Sequence, residues 1–417
     1  YVYLFVERYV YRPVVIVVGR RQLQSFIRVS LISGGGIAGL TSACAFAKAG
    51  FEVVCVDPLP PITNSENINS DLRSTAFLQP AKSTLKNAGL WEKFEKYATP
   101  LEVMRLADAG GINNEIRTVA DFNASEISEE PFAWNLPNWL LRRELVNHIQ
   151  SLSNVTLLFG QNTGRITSRT TENLVMVGNE QYSCQLLIGA DGRNSSTRQE
   201  MKIPIKTWRY GQKAMAMAVY HSSPHKNIST EIHRSGGPFT TVPLPDHNGK
   251  HMSSIIWMEK SDRANTLHKM DEAQFNKELN ARSCNILGEI KLASQRNLWP
   301  IISQKSSEIY GQRFALIAEA AHVIPPIGAQ GLNMSLRDLE ALLGLTNLHE
   351  IGSKSHLEAY HAERKSDIDL RIRGVDALNR AAMAESQNLR TLRLKALQTL
   401  HGLTPLRKTL MKKGLGA

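Results

Sequence analysis

Three glycines and one acid near the start of the chain are spaced to hold a diphosphate. Gly34, Gly36 and Gly39 form a G-x-G-x-x-G run, and Asp57 follows 23 positions after Gly34. In that pattern the first glycine makes a tight turn, the second lets a pyrophosphate approach the backbone, and the third lets a helix pack closely on a strand. The helix that begins there turns unpaired N–H groups toward the phosphates, and the acid accepts both ribose hydroxyls of an adenosine. Two more carboxylates end apolar runs further on. Asp191 follows residues 186–190 and precedes Gly192, while Glu319 follows residues 314–318. Behind Glu319 come His322, two prolines, and a loop with Gly328, Gly331, Leu332 and Asn333. A glycine-rich loop opening a helix presents N–H groups to an anion or a polar ring edge. His322 invites a catalytic reading, although a histidine so placed is read first as a structural hydrogen bonder.

The elements that must carry these residues follow from the pattern. Residues 29–33 are a short apolar strand, and residues 37–49 are a helix rich in Ala and Leu, with Gly50 placed to cap it. Residues 51–56 are a second buried strand ending at Asp57. Strand, glycine turn, helix, strand and acid make a dinucleotide-binding βαβ unit. The G-x-G-x-x-G pattern occurs once, so a second dinucleotide would visit without a domain of its own. Residues 213–220 and 252–258 are β-compatible and rich in Met. They are read as sheet core, with the lining of a pocket for a greasy substrate as the alternative.

Composition bounds the rest. The 417 residues suggest two or three domains and a core that needs no staples. With 42% hydrophobic and 21% charged residues, wholesale disorder is excluded. The four cysteines form no C-x-x-C pair and the histidines show no metal-ligand spacing, so neither a zinc site nor a disulfide framework is expected, and a reducing compartment fits. Forty-nine Lys and Arg against 38 Asp and Glu give a net charge of +11, which suits an anionic partner. A membrane surface is the better candidate, because no nucleic-acid-binding motif is present. No run reaches the roughly 18 to 20 apolar residues of a spanning helix, so a peripheral protein is expected at most. From Leu389 onward there are seven Lys and Arg and no acid, with leucines spaced along one side. That tail reads either as an amphipathic membrane-surface helix or as a helix packed on the domain with a solvated basic face.

Taken together, the motifs resemble the class A flavoprotein monooxygenases that hydroxylate aromatic rings. The run from His322 to Asn333 (HVIPPIGAQGLN) is especially similar to the ubiquinone-biosynthesis hydroxylase family, as are residues 71–78 (DLRSTAFL), 208–212 (WRYGQ) and 405–416. The resemblance covers 29–417. It implies an α/β fold, a Rossmann-like FAD-binding domain with an inserted β-sheet substrate domain like that of p-hydroxybenzoate hydroxylase, and a helical C-terminal end. The expected units are an extension of unknown role at 1–28, a discontinuous FAD-binding domain at 29–207, with substrate-side insertions, and at 300–380, a substrate sheet at 208–299 and a basic helical tail at 381–417.

By the same resemblance Gly34, Gly36, Gly39 and Asp57 would hold the ADP half of FAD. Arg73 and Arg142 would meet its diphosphate and ribityl region, and Asp191 and Gly192 would serve both FAD and NADPH. Glu319 would reach the ribityl chain, and Gly328, Gly331, Leu332 and Asn333 would line the flavin's pyrimidine edge. One departure stands out: the family shows Gly-Asp where this chain has Ala318-Glu319. The resemblance names no catalytic residue and no metal. It implies hydroxylation of a polyprenylated phenol with O2 through a C4a-hydroperoxyflavin, with NADPH or NADH as a transient reductant. The alternatives are a hydroxylase of a small soluble aromatic and a catalytically silent flavin-binding subunit. The implied setting is the bacterial cytoplasm at the inner membrane, or the mitochondrial matrix face, with other ubiquinone-biosynthesis proteins as partners. Residues 1–28, with five arginines against one acid, weakly resemble a mitochondrial presequence.

Overall fold

A computed structural model describes residues 29–415 apart from Ile68, Leu72, Ile112, Asn114, Ser235 and Glu385. The extension at 1–28 lies outside the described residues. Val29–Ser33, Ile37–Lys48 and Glu52–Asp57 form the expected strand, helix and strand, and Gly50 (φ +87°) ends the helix. The two strands pair in parallel, Ile32 beside Cys55. Around them the sheet runs in the order Tyr310–Gly311, Phe314–Leu316, Leu186–Gly189, Val29–Ser33, Glu52–Asp57 and Val155–Phe159. All pairs are parallel except the one at the Tyr310–Gly311 edge. The four inner strands are buried apolar runs, the mark of parallel strands covered on both faces. Leu31, Ile32, Cys55, Leu187, Ile188, Phe314 and Ala315 are completely buried.

The second large sheet is mixed. From one edge it runs His322–Val323, Asn297–Ser306, Ile205–His221, Lys250–Lys260, Pro238–His247, Ile228–His233, Val103–Asp108 and Thr118–Asn123. It is therefore wider than the segment 208–299: it starts at Ile205, continues through Ser306, and takes two strands from 103–123. Pro300 lies inside the Asn297–Ser306 strand where the register shifts opposite Arg209–Lys213, a position at which a strand tolerates proline.

Alternation sorts this sheet's faces. Met215, Met217, Val219, Ile232, Phe239, Ile255 and Trp257 pack against Leu267, Phe275 and Leu279 of the helices Ser261–Lys269 and Glu272–Ser283. The methionines at 215 and 217 are thus core. The opposite face, with Met104, Leu106 and Ile256, looks toward the parallel sheet across a cavity.

The C-terminal region is helical: Lys354–Ala382, Gln387–Gly402 and Thr404–Leu415. Met411 and Leu415 are buried against Ala76, Leu78, Leu101, Phe132 and Ala133. Asp108, buried in the mixed sheet, accepts from Arg117 and from Arg393 at 2.9 Å, and so ties the tail to that sheet. Leu389, Leu392, Leu403, Leu406 and Leu410 remain exposed. Among the described residues no helix is long and apolar enough to cross a membrane.

Candidate active site

The C-terminal ends of the parallel strands meet the inner face of the mixed sheet around a cavity of about 500 Å³. Ligands of open α/β sheets bind at that end of the strands. Gly36, Arg73, Arg142, Gly192, Glu319, Gly328, Gly331 and Leu332 all line it. Residues as far apart in sequence as Gly36 and Leu332 are thereby gathered at one site.

The remaining sequence candidates are set back from the cavity, and their polar atoms are engaged with the protein. Gly34 (φ +116°) and Gly39 shape the turn: a Cβ on Gly39 would lie 1.8 Å from the Gly34 carbonyl oxygen, and one on Gly34 would lie 2.3 Å from that of Ala190. A Cβ on Gly36 would meet nothing within 4 Å, so space lies open beside the backbone at the helix start. Asp57 accepts from the Gly35 N–H at 2.6 Å and the Leu59 N–H at 2.9 Å. The acid therefore braces the glycine turn, a role its spacing does not announce, and each oxygen keeps a lone pair for a hydroxyl. Asp191 turns to the start of helix Ser196–Glu200, accepting from the Thr197 N–H at 2.9 Å and from Ser196. Asn333 is buried, accepting from the Leu78 N–H at 2.9 Å and donating to the Ala76 carbonyl at 2.8 Å. Its side-chain amide ties the Gly-rich loop, which the resemblance sets at the flavin's pyrimidine edge, to the Ser74–Leu78 strand.

Asp71 organises the two arginines, and sequence reading missed it. Its carboxylate receives Arg73 at 2.7 and 2.8 Å, Asn138 at 3.0 Å and Arg142 at 3.2 Å. Burial pushes this carboxyl up, but the two guanidiniums and the amide outweigh it and hold it down at about 2. Arg73 also lies 5.3 Å from the Trp299 ring centroid. The pair of cations can face an anionic group while one carboxylate fixes their direction.

The Ala318-Glu319 departure has a visible backbone consequence. Ala318 has φ +57°, the left-handed region where glycine is free and a Cβ is strained. A buried network holds it there. Asp338, completely buried, accepts from the Ala318 N–H at 3.0 Å, from His322 Nε2 at 2.7 Å and from Arg364 Nε at 2.9 Å. Burial raises the Asp338 carboxyl, while His322 and Arg364 more than reverse that and lower it. His322 thus serves as the structural bonder at the cavity wall. Glu319 points into the open side of the cavity, half exposed, 3.3 Å from Arg193 Nε.

The residues fit a flavin dinucleotide. The turn leaves room for a diphosphate at a helix N-terminus, two oriented arginines line the same cavity, and the half-exposed carboxylate of Glu319 opens onto it for a polyol hydroxyl. Across the cavity the wall is apolar: Leu101, Met104, Leu106, Val242, Ile256 and Ile301. The C-terminal helix adds to the enclosure, since Gln330 of the loop donates to the Gly414 carbonyl at 3.2 Å.

Known proteins resemble this chain in sequence and in fold. The chain is similar to ubiquinone hydroxylase UbiL of Rhodospirillum rubrum, 28% identical over 399 residues, 93% of this chain and 89% of that protein. It is also similar to 3-demethoxyubiquinol 3-hydroxylase of Escherichia coli, 25% identical over 92% of this chain and 97% of that one. Among solved structures, p-nitrophenol 4-monooxygenase PnpA of Pseudomonas putida DLL-E4 shares the fold, with a TM-score of 0.75 at 17% identity over 94% of this chain and 98% of that one. The profile of the FAD-binding domain family matches residues 28–370, most of the chain, and with FAD as the cofactor its cavity fits, this protein belongs to that family.

Proposed function

We propose that this protein is an FAD-dependent monooxygenase that hydroxylates the aromatic ring of a prenylated phenol in ubiquinone biosynthesis, using O2 and NADPH or NADH. One observation carries the reading. The cofactor residues and an apolar sheet face share a single cavity, so a greasy ring can lie directly against a flavin. The names of the similar hydroxylases point the same way. Bound flavin supplies the activation of O2 for transfer of one oxygen atom. The chain's own work is to orient that group through Gly36, Arg73, Arg142 and Glu319, and to keep water away with the apolar wall. In this reading Gly34, Gly39 and Asp57 shape the turn that receives the ADP half, and Gly192 keeps the rim open for the visiting nicotinamide.

The reading extends to the setting. A prenylated phenol partitions into lipid, and the tail's outer side carries exposed Leu389, Leu392, Leu403, Leu406 and Leu410 beside Lys395, Lys408, Lys412 and Lys413. That mixture suits an anionic membrane surface, at the bacterial inner membrane or the mitochondrial matrix face, alongside other enzymes of the same synthesis. The test is stopped-flow flavin absorbance. NADPH is expected to reduce the bound flavin several-fold faster when a short-chain prenylated phenol is present, with one oxygen atom appearing in the product. Equal stimulation and turnover by an unprenylated soluble phenol would overturn the substrate assignment, and flavin that never hydroxylates any phenol would overturn the activity.

A further inference from the structure

Among the described residues three carboxylates line the cavity, and they differ in what holds them. Asp71 is bound by two arginines and Glu319 by Arg193. Glu231, on the sheet wall, forms no salt bridge with Lys or Arg among the described residues. Its partner is His233, whose Nε2 lies 2.5 Å from Glu231 Oε1, and both side chains are mostly buried, 15% and 19% exposed.

Strand alternation puts the pair where it is. In Ile228–His233, residues Ser229, Glu231 and His233 share one face, while Ile232 points to the helix-covered core. Glu231 sits in register with Leu106 on one side and Thr240 on the other, both cavity residues. The far end of the strand is fixed, since the His233 carbonyl accepts from the Ala109 N–H at 2.8 Å and from Arg393 at 3.3 Å.

We propose that Glu231 is the catalytic residue that takes the hydroxyl proton of the bound phenol, and that His233 positions it and passes the proton toward solvent. The inference rests on the phenol-hydroxylase reading above. A phenol ring becomes a strong carbon nucleophile as its O–H proton leaves. The O–H bond pair moves into the ring, and a ring carbon uses a π pair to form the new C–O bond. The O–O bond breaks, its electron pair leaving with the other oxygen, which ends as water. The C–H proton of the attacked carbon goes to the departing oxygen, which with the proton delivered during reduction becomes water, and the first oxygen regains a proton from solvent back through His233 and Glu231. O2 is the oxidant and the reduced nicotinamide the reductant, as in the activity proposed. An apolar wall with one unclamped carboxylate is suited to this exchange, because a carboxylate locked to arginine is a poor proton acceptor.

The test uses the oxidised holoenzyme and a short-chain prenylated nitrophenol, whose anion absorbs in the visible. The charged groups around the pair are Arg105 with Asp121, Asp108 with Arg117 and Arg393, and Arg282 at the Ile232 carbonyl on neighbouring elements, and Asp71, Arg73, Arg142, Arg193 and Glu319 across the cavity. All of these are unchanged in Glu231→Gln. A carboxylate facing the phenol disfavours its anion, so the bound probe is expected to ionise about one pH unit higher in wild type than in Glu231→Gln. Turnover in Glu231→Gln should fall by about 10²-fold with peroxide released in place of product and flavin reduction unchanged. His233→Gln should give a smaller loss and move the pH profile. Binding of the probe with the same titration in wild type and Glu231→Gln, or product formation within about twofold of wild type, overturns the proton role alone. A wild-type holoenzyme that does not bind the probe overturns the phenol reading, and this proposal with it.

Discussion

The two walls of the cavity obey different rules. On the cofactor side, loops at strand ends do the shaping and nearly every charged side chain is spent on the protein itself: Asp57 on two amides, Asp191 on a helix start, Asp338 on three donors. On the sheet side, extended backbone is satisfied by its ladder, so the side chains are apolar or, like Glu231, lightly tethered. The difference separates two kinds of loss. A change on the first wall should cost fold and flavin together, while a change on the second should cost the substrate step alone.

Asp338→Asn should show the largest effect on the first wall. It removes the charge that Arg364 and His322 share, at a cost of about 3 kcal/mol, and frees the Ala318 turn. Chemical denaturation should report that loss, and the purified variant should retain less flavin. A variant of wild-type stability that only turned over more slowly would break the distinction.

Asp71→Asn comes next. The folded carboxyl is held at about 2, below its ordinary value near 3.8, so its stabilising contribution is complete above pH 4 and disappears as pH falls toward 2. Replacement should cost roughly 2 kcal/mol at pH 7 and flatten the acid side of the stability curve, read as denaturation midpoint against pH. By contrast, Glu231→Gln should leave that midpoint and the flavin content where they are.

Ala318→Gly should have the smallest effect and the opposite sign. Relief of a left-handed alanine favours the folded state, offset in part by the extra freedom of an unfolded glycine, for a net gain of about 1 kcal/mol. A loss of stability would mean that the Cβ packs usefully against the core and that the positive φ is no burden.

What could be read from the sequence follows the same division. Gly34 and Gly39 were legible because only glycine meets their steric demands, and Gly36 because the space beside it recurs with them at fixed spacing. The Rossmann-like unit came with them, and the inserted sheet came with the family resemblance. Asp71 and Asp338 were not, since a lone acid acquires its role from partners such as Arg142 or Arg364 that are close in space and remote in sequence. Asn333 illustrates the converse: its place in a motif identified an important residue but not the direction of its side chain. For the mixed sheet, alternation marks two faces without saying which of them meets the cavity. Met215 and Glu231 therefore look equally suited to a pocket until the helices at 261–283 are seen to cover one side.

Met411 and Leu415 also impose an order in time. The glycine turn for the dinucleotide is complete once residue 57 has left the ribosome, yet part of the cavity's enclosure comes from residues 404–415, made more than three hundred residues later. Chains fold broadly in the order in which they are made. The flavin site is thus specified early and closed late, and stable cofactor loading waits until residues 404–415 have been made.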